Sequence, residues 1–303
     1  IELNDGRAVY RSRLLLDSDL AARSAGLARI YGDLGFEQLA LVEGWKSVGA
    51  DPTSDAAHRL LADSYAALPR HEVARVSELL QAQLLQPINV TPIQPRLAES
   101  NLFLVSRGGP GARSFNESHP LFDRDQVALQ LTGLAGARST YGIEPVASGI
   151  YRNLSFSVGY TGLKTDGFRE NNDLKDQIAT AFVQAELSSR TSVQAEYRHR
   201  ENDRGDLQSY FFPELVRPEL RQSDDTDTYR LGARHAFSPS SILLAAAMYQ
   251  HDRSHSNDAQ VIDIQGHQDA VGGELQHLFR SRWVDVVSGA GYFKLTGQST
   301  LRI

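Results

Sequence analysis

The chain contains no cysteine, a single methionine and two tryptophans among its 303 residues. Without cysteine it can form neither a disulfide framework nor a thiolate metal site, and it has no cysteine nucleophile. It also lacks an uninterrupted apolar run of the roughly 18 residues that a transmembrane helix needs, so a helical membrane protein is excluded. A membrane β-barrel is not excluded, because its strands alternate apolar and polar residues and have only moderate average hydropathy.

Neither an excess of basic charge nor a catalytic motif is present. Lys and Arg number 31 against 37 Asp and Glu, and no nucleic-acid partner is expected. The sequence has no His-Glu-x-x-His pair, and Gly108–Gly111 lacks the Lys-Ser/Thr that would complete a phosphate-binding loop. We expect no enzyme, no catalytic residues, no cofactor and no bound metal. An outer-membrane enzyme with a Ser/His/Asp set on its barrel wall stays open as an alternative.

The N-terminal part of the chain is predicted to be extended and then helical. It opens at Ile1 with no initiator Met or apolar signal sequence, which predicts a processed or partial chain whose targeting signal lies upstream. We expect residues 1–18 to be an extended segment. Residues 19–87 are rich in Ala and Leu at a helical period.

The helical part resembles two tetratricopeptide (TPR) repeats, each of which is a pair of packed helices. The matching positions are Leu27, Ala28, Tyr31, Gly35, Ala40 and Pro52 in the first repeat and Leu61, Ala62, Tyr65 and Ala74 in the second. Small Ala side chains would let the paired helices approach closely, while the Leu and Tyr side chains fill the space between them. An unrelated helical bundle with Ala-rich contacts is the alternative.

The resemblance to TPR modules implies a groove lined by the first helix of each repeat. It would place Arg29, Asp33, Arg59 and Asp63 there as candidate partner-binding residues. Mixed charge of this kind would hold a peptide or an anionic polymer. The alternative is a solvated helix face that carries local ion pairs.

A strand-rich region follows a predicted linker over residues 88–124, which is marked by Pro and Gly. In Leu154–Thr161 apolar and polar residues alternate, which predicts a strand with one apolar and one polar face. We assign residues 125–303 to an antiparallel transmembrane β-barrel with about nine strands. Because bacterial barrels have even strand numbers, we expect it to be incomplete and to continue beyond Ile303. The predicted fold class is thus α + β multidomain, with N-terminal TPR-like α-hairpins before the barrel.

Strand length, connections and aromatic residues favour the barrel over a soluble β-sandwich. The strands run to about ten residues, enough to cross a bilayer at a tilt. Short turns are predicted at Tyr151–Asn153, Ser188–Thr191, Ser238–Ser241 and Arg280–Arg282, and long polar loops at Gly136–Glu144, Lys164–Asp176, Glu201–Thr226 and Asp252–Gly266. This alternation is typical of periplasmic turns and extracellular loops. Aromatic residues near strand ends would lie at the membrane interfaces.

The polar faces of the strands predict a hydrated lumen. Its candidate lining residues are Gln184, Glu186, Gln194, Glu196, Arg198, Arg230, Arg234 and Glu274. Because both signs of charge occur, the lining fits a conduit for a polar solute or polymer, or an interior plugged by ion pairs.

Two polar stretches have residue types that could ligate a metal. His251 and His255 stand four apart, and Asp224, Asp225 and Asp227 lie at the end of the longest predicted loop. A helix would direct such a His pair at one ion, but here the context is a strand end and a loop. We therefore interpret both stretches as solvated loops and predict no metal site.

From about Asn4 onward the chain resembles a family of bacterial TPR-containing outer-membrane β-barrel proteins. The resemblance is carried by Phe36–Gly44, Leu68–Glu72, Leu84–Pro87 and Thr165–Asp173. The last of these stretches also resembles a strand-loop segment of TonB-dependent receptor barrels, although no TonB box or plug domain is visible. In architecture the chain is similar to exopolysaccharide export porins and surface-lipoprotein assembly modifiers, which is an analogy only.

The sequence therefore predicts a protein of the outer membrane with its N-terminal part in the periplasm. The hypothesis is a transport or secretion porin that exports a polysaccharide or another polar cargo, with a TPR module that docks a periplasmic protein or polymer. The alternative hypothesis is a non-transporting scaffold whose TPR groove recruits periplasmic assembly factors. A soluble periplasmic TPR–β-sandwich protein is a third hypothesis. In the first two, membrane lipid is a partner of the barrel.

Overall fold

The computed structural model describes residues 16–66, 72–89, 122–258 and 262–302. The chain divides into two compact units. One contains the helices, up to Gln86, together with Leu278–Val287, and the other contains most of the strand residues. No helix in the described ranges is long and apolar enough to cross a membrane. The predicted linker falls mostly outside the described residues.

Four helices make up most of the first unit, and they are α1 (Leu16–Asp33), α2 (Glu37–Ala50), α3 (Asp55–Ala66) and α4 (Glu72–Leu85). Helix α1 packs against α2 and α3 against α4, while α3 also contacts α1 and α2. The predicted turn glycine, Gly35, lies between α1 and α2 at a φ of +81°, which costs glycine little because it has no Cβ. The helices therefore form two packed pairs, whose assignment as TPR repeats stays a prediction.

Small residues line the contacts between these helices. Ala28, Ala40 and Ala62 are buried, and a Cβ at Gly44 would lie only 3.1 Å from Leu61 Cδ1. The prediction that Leu27 fills the space between paired helices is wrong, because its side chain is exposed. That role falls to a cluster of Leu41 and Leu61 with Val48 and Tyr65 packed against it.

Buried His58 joins three parts of the helical unit. Its Nδ1 lies 2.6 Å from Glu78 Oε2 on α4, and its Nε2 lies 2.9 Å from the carbonyl oxygen of Pro52 in the α2–α3 turn. His58 itself is only 2% exposed, so these two contacts fix how α3 meets its neighbours.

The second structural element is a nine-stranded sheet whose strands lie in sequence order. The strands are β1 (Gln126–Gly136), β2 (Thr140–Tyr151), β3 (Leu154–Thr165), β4 (Leu174–Ser188), β5 (Thr191–Arg204), β6 (Arg221–Ser238), β7 (Ser241–Asp258), β8 (Ile262–Arg280) and β9 (Asp285–Arg302). The pairings from β1 to β7 are all antiparallel. About nine strands were predicted for this part of the barrel, and the described residues contain nine.

One face of the sheet buries many polar residues, together with apolar ones such as Phe182 and Leu244, while the other face exposes large apolar residues. On β3, Val158 is 55% exposed, whereas Ser155 and Ser157 are buried. On β6, Leu231 is 61% exposed and its neighbour Arg230 only 3%. We call the face with the buried polar side chains the inner face and the opposite one the outer face. Such alternation is the reverse of a soluble sheet and is typical of a strand between lipid and a polar interior.

The short turns lie where they were predicted, but two of the long loops do not exist. Only residues 137–139 separate β1 from β2 and only residues 259–261 separate β7 from β8. The predicted loops Gly136–Glu144 and Asp252–Gly266 are therefore mostly paired strand. Residues 252–258 of β7 are polar on both faces, so the apolar alternation that marks a strand in sequence is missing there although backbone pairing continues.

Candidate functional site

Most of the predicted lumen-lining residues lie on the inner face. Gln184, Gln194, Glu196, Arg198 and Arg230 are buried there, Arg234 and Glu274 are partly buried, and Glu186 is exposed next to a register shift near the β4–β5 turn. Their role as a lumen lining stays a prediction. The structure adds that two of them, Glu196 and Arg230, pair with each other.

Ion pairs follow the inner face across β4, β5 and β6. Arg230 Nη1 lies 3.2 Å from Glu196 Oε1, and both side chains are at most 3% exposed. Further toward the loops, Asp176 accepts hydrogen bonds from Arg200 Nε and Asn202 Nδ2, both at 2.9 Å. A buried pair of this kind is costly to break, because the remaining charge would be left without solvation.

Aromatic side chains mark two levels of the outer face. Toward the loop ends, Tyr197 and Tyr229 have ring centroids 5.0 Å apart, and Tyr229 and Tyr249 have centroids 6.3 Å apart. Toward the turn ends, Phe237 and Phe279 are exposed. Between the two levels the outer face is apolar, with residues such as Leu231. Rings at both margins of an apolar band are typical of the two interfaces of a membrane.

The β3–β4 loop (residues 166–173) and the β5–β6 loop (residues 205–220) are bound to each other, and we refer to them as the loop pair. Asp206 is at its centre and is 1% exposed. Its carboxylate accepts hydrogen bonds from the backbone N–H groups of Gln208 and Arg217, at 3.1 and 3.0 Å. Arg169 Nη2 lies 3.4 Å from Asp206 Oδ2 and also donates to the Asp206 carbonyl oxygen at 2.7 Å. The buried carboxylate therefore organises both loops.

Two asparagines complete the connection between the loops. Asn171 Nδ2 donates to the carbonyl oxygens of Arg217 and Leu220, each at 2.8 Å, and Asn172 Nδ2 donates to that of Asp206 at 2.8 Å. A Cβ at Gly205 would lie 2.1 Å from the Asn171 carbonyl oxygen, so only glycine allows this approach. The loop pair is thus packed closely through backbone as well as side chains.

The environment of Asp206 shifts its acidity. Burial disfavours the charged carboxylate, but the N–H groups of Arg217 and Gln208 and the guanidinium of Arg169 outweigh burial and hold the pKa of Asp206 below its usual range. The carboxylate is therefore ionised at neutral pH and at moderately acidic pH.

Sequence reasoning singled out only one side of the loop pair. The stretch Thr165–Asp173, which resembles a segment of receptor barrels, supplies Arg169, Asn171 and Asn172. Asp206 was missed because it lies 37 residues from Arg169 in a polar segment without a pattern of its own. No local sequence signal links two such loops.

The predicted metal-ligating stretches lie in strands rather than solvated loops. His251 Nδ1 contacts Asp269 at 2.7 Å and His255 Nε2 contacts Asp263 at 2.8 Å, so the two histidines have separate partners. The three carboxylates of Asp224, Asp225 and Asp227 do not converge either, because Asp224 pairs with Arg204 and lies in β6 on the opposite face from the other two. The prediction that these two stretches are solvated loops is therefore wrong.

Two of the candidate groove residues of the helical unit contact each other. Arg59 Nε lies 3.5 Å from Asp63 Oδ2 one turn further along α3. Arg29 is partly buried on α1, and nothing is described for the side chain of Asp33. The contact between Arg59 and Asp63 agrees with the alternative of local ion pairs, and binding of a partner by these residues stays a prediction.

No protein-family model matches the chain, and no curated protein does. Among solved structures, the copper transporter OprC is similar with a TM-score of 0.52 and 11% identity over 60% of this chain and 30% of that one. The siderophore receptor PiuA from Acinetobacter baumannii matches with a TM-score of 0.47 and 11% identity over 58% of this chain and 31% of that one. The ferripyoverdine receptor of the outer membrane of Pseudomonas aeruginosa gives a TM-score of 0.45 and 13% identity, covering 58% and 28%.

The chain therefore spans about 30% of the length of OprC, and the likeness concerns the fold. It confirms the predicted outer-membrane β-barrel fold and agrees with the predicted location in the outer membrane. The TPR part of the family resemblance finds no support in these comparisons. What the comparisons establish is that the strands of this chain have the fold of an outer-membrane β-barrel.

Proposed function

We propose that this chain forms part of an outer-membrane transport barrel that moves polar cargo, with its helical pairs on the periplasmic side. The single observation that carries the proposal is the reversed sheet, in which Arg230 is buried on the inner face while Leu231 beside it is exposed on the outer face. A soluble sheet would bury the leucine, so the outer face suits lipid and the inner face suits a polar interior.

Polar residues on the inner face support a polar cargo, because they could replace the hydration of a passing solute. A polysaccharide is one candidate. The similar solved structures include a copper transporter and a siderophore receptor, so a metal ion or a metal chelate is another. In either case the helical pairs would dock a periplasmic protein or guide the cargo.

Membrane fractionation of the full-length protein tests the location, together with protease treatment of intact cells. The protein is expected in the outer membrane, with cleavage between residues 205 and 220 in the loop pair. Conductance of the purified protein in planar bilayers then tests transport. A soluble protein, or an insensitive loop together with no conductance, would contradict the proposal.

A scaffold without transport is the second candidate, and the paired charges of the inner face favour it. The buried pair of Arg230 and Glu196 and the pair of Arg200 and Asp176 fill space on that face. In this case no conductance is expected. Pulldown of a periplasmic partner would be lost in Arg59→Ala and Asp63→Ala variants that still insert, and unchanged pulldown would eliminate the scaffold.

A further inference from the structure

Four side chains that can ligate metals form a compact block on the outer face of β5 and β6, on the loop side of the tyrosine row. His199 and Glu201 stand two apart on β5, and register places Asp227 opposite His199 and Asp225 opposite Glu201 on β6. Residues two apart on a strand point to the same face, so all four side chains emerge together. From this block we infer that His199, Glu201 and Asp225 form a binding site for a divalent transition-metal ion.

The distances in the block suit a shared ion. One ligand atom from each of His199, Glu201 and Asp225 lies within 4.8 Å of the other two. His199 Nε2 is 3.4 Å from Glu201 Oε1, and its Nδ1 is 4.0 Å from Asp225 Oδ1 and 3.0 Å from Asp227 Oδ1. Because one ion takes only one imidazole nitrogen, zinc bonds of about 2.0–2.2 Å would require side-chain rotations that bring both carboxylates to the side of that nitrogen. Asp227 is positioned as a fourth donor.

Charge supports a cation as the missing partner. The carboxylates on the inner face of these strands each pair with an arginine, as in the pairs Glu196–Arg230 and Asp224–Arg204. Within the described residues, Glu201 and Asp225 form ion pairs only with His199. One imidazole cannot balance three carboxylates, so the block keeps an excess of negative charge that a divalent ion would neutralise.

One basic side chain borders the block. Arg253 on β7 lies opposite Asp225 in register, and its positive charge acts on Asp227, so it offsets part of the negative charge but not that of all three carboxylates. On the other side, His199 faces Ala179 of β4, whose small side chain leaves the imidazole accessible. A cavity of about 640 Å³ lined by Glu201 and Asp225 opens next to the block. An ion therefore has a route to the site without displacing a strand.

The donor set determines the class of ion. One imidazole nitrogen with carboxylate oxygens is a borderline set that suits Zn²⁺, Cu²⁺ or Ni²⁺. Calcium prefers six to eight oxygen ligands and would gain little from the imidazole. The site lies on the outer face, apart from the inner face to which the proposed transport function is assigned, so the two proposals stand or fall separately.

Calorimetric titration of the full chain in detergent with ZnCl₂ tests this site directly. Saturable binding of one Zn²⁺ is expected at His199, and His199→Ala should weaken it by about tenfold or more. Glu201→Gln and Asp225→Asn remove a charge without changing volume and should each weaken it as well. Titration with CoCl₂ gives a second measurement, because nitrogen and oxygen ligands around Co²⁺ produce visible absorption bands.

His235→Ala is the matched control, since His235 lies near the β6–β7 turn and contacts Thr191. It should bind Zn²⁺ as the unaltered chain does. Circular dichroism and the heat-modifiable gel mobility of each variant confirm that the sheet is intact. Absence of saturable binding to the unaltered chain would overturn the inference. It would also be overturned if His199→Ala and Glu201→Gln bound Zn²⁺ with the same affinity as the unaltered chain. Transport or conductance does not enter this test.

Discussion

In the helices the buried side chains are mainly small and apolar, whereas on the inner face of the sheet many are polar or charged. Leu61 on α3 is 3% exposed, but Leu129 on β1 is 75% exposed, and Arg230 on β6 is as buried as Leu61. The two regions follow one rule in different surroundings. Water drives apolar side chains inward in the helices, whereas the proposed lipid environment would allow them outward in the sheet while polar groups pair within it.

The largest expected effect comes from breaking the charge pair that the sheet buries. Glu196→Ala leaves Arg230 buried beside an empty acceptor position and should lower the free energy of unfolding by about 3–5 kcal/mol. Urea unfolding of the protein in detergent measures this loss. The double variant Glu196→Leu/Arg230→Leu should lose less than the single one, because it removes both charges of this pair. A single variant as stable as the unaltered chain would contradict the importance of the pair.

A charge placed on the outer face tests whether that face is in contact with lipid or with water. Leu231→Arg should cost about 2–4 kcal/mol in a bilayer, because arginine is poorly tolerated near the middle of the apolar band. Leu34, between α1 and α2, is also exposed, and Leu34→Arg should change stability by at most about 0.5 kcal/mol. Reversible unfolding in lipid vesicles compares the two variants. Equal effects would show that the two regions share one solvent.

A polar contact inside the helical unit gives a smaller effect. His58→Ala removes the ring nitrogens that contact Glu78 and the Pro52 carbonyl oxygen and should cost about 1–3 kcal/mol. Thermal melting followed by helical circular dichroism measures it, while the heat-modifiable gel mobility of the sheet should not change. A loss of sheet stability in this variant would argue against independent stability of the two regions.

The smallest effect concerns the loop pair and depends on pH. Because the pKa of Asp206 is lowered on folding, the ionised carboxylate stabilises the loop pair above its ordinary pKa of about 3.9. This stabilisation declines as pH falls through the folded pKa. Pepsin cleavage at the exposed Phe211–Phe212 step should therefore accelerate toward the lowest pH. Asp206→Asn should be cleaved about tenfold faster at pH 4, the factor that about 1.4 kcal/mol of lost stability gives. Equal cleavage of both proteins would contradict this account.

Sequence alone predicted the strands where their surroundings differ on the two faces. Leu154–Thr161 alternates because one face meets an apolar medium and the other a polar interior, and the Ser188–Thr191 turn is confirmed. The prediction failed at residues 252–258, where β7 has polar residues on both faces and only backbone pairing defines the strand. Alternation in the sequence reflects a difference in polarity between the two faces of a strand, and residues 252–258 have no such difference.

Contacts between distant segments were beyond the reach of sequence patterns. The block of His199, Glu201 and Asp225 depends on the register of β5 against β6, and a shift of one residue would place its members on opposite faces. His251 and His255 looked more suggestive because they are close in sequence, yet each has its own aspartate. In the helices, the small residues at Ala28 and Ala62 were predicted correctly because a repeating period identifies contact positions without knowledge of register.

The loop pair also sets an order of events during assembly. Asn171 follows β3, but the carbonyl groups that it binds belong to Arg217 and Leu220, which immediately precede β6. The first loop therefore cannot reach its final conformation when β3 and β4 meet. Its hydrogen bonds can form only after β5 has been added and the second loop has closed around Asp206. The loop ends of four successive strands therefore depend on one another, and a chain interrupted before β6 would leave the first loop without these partners.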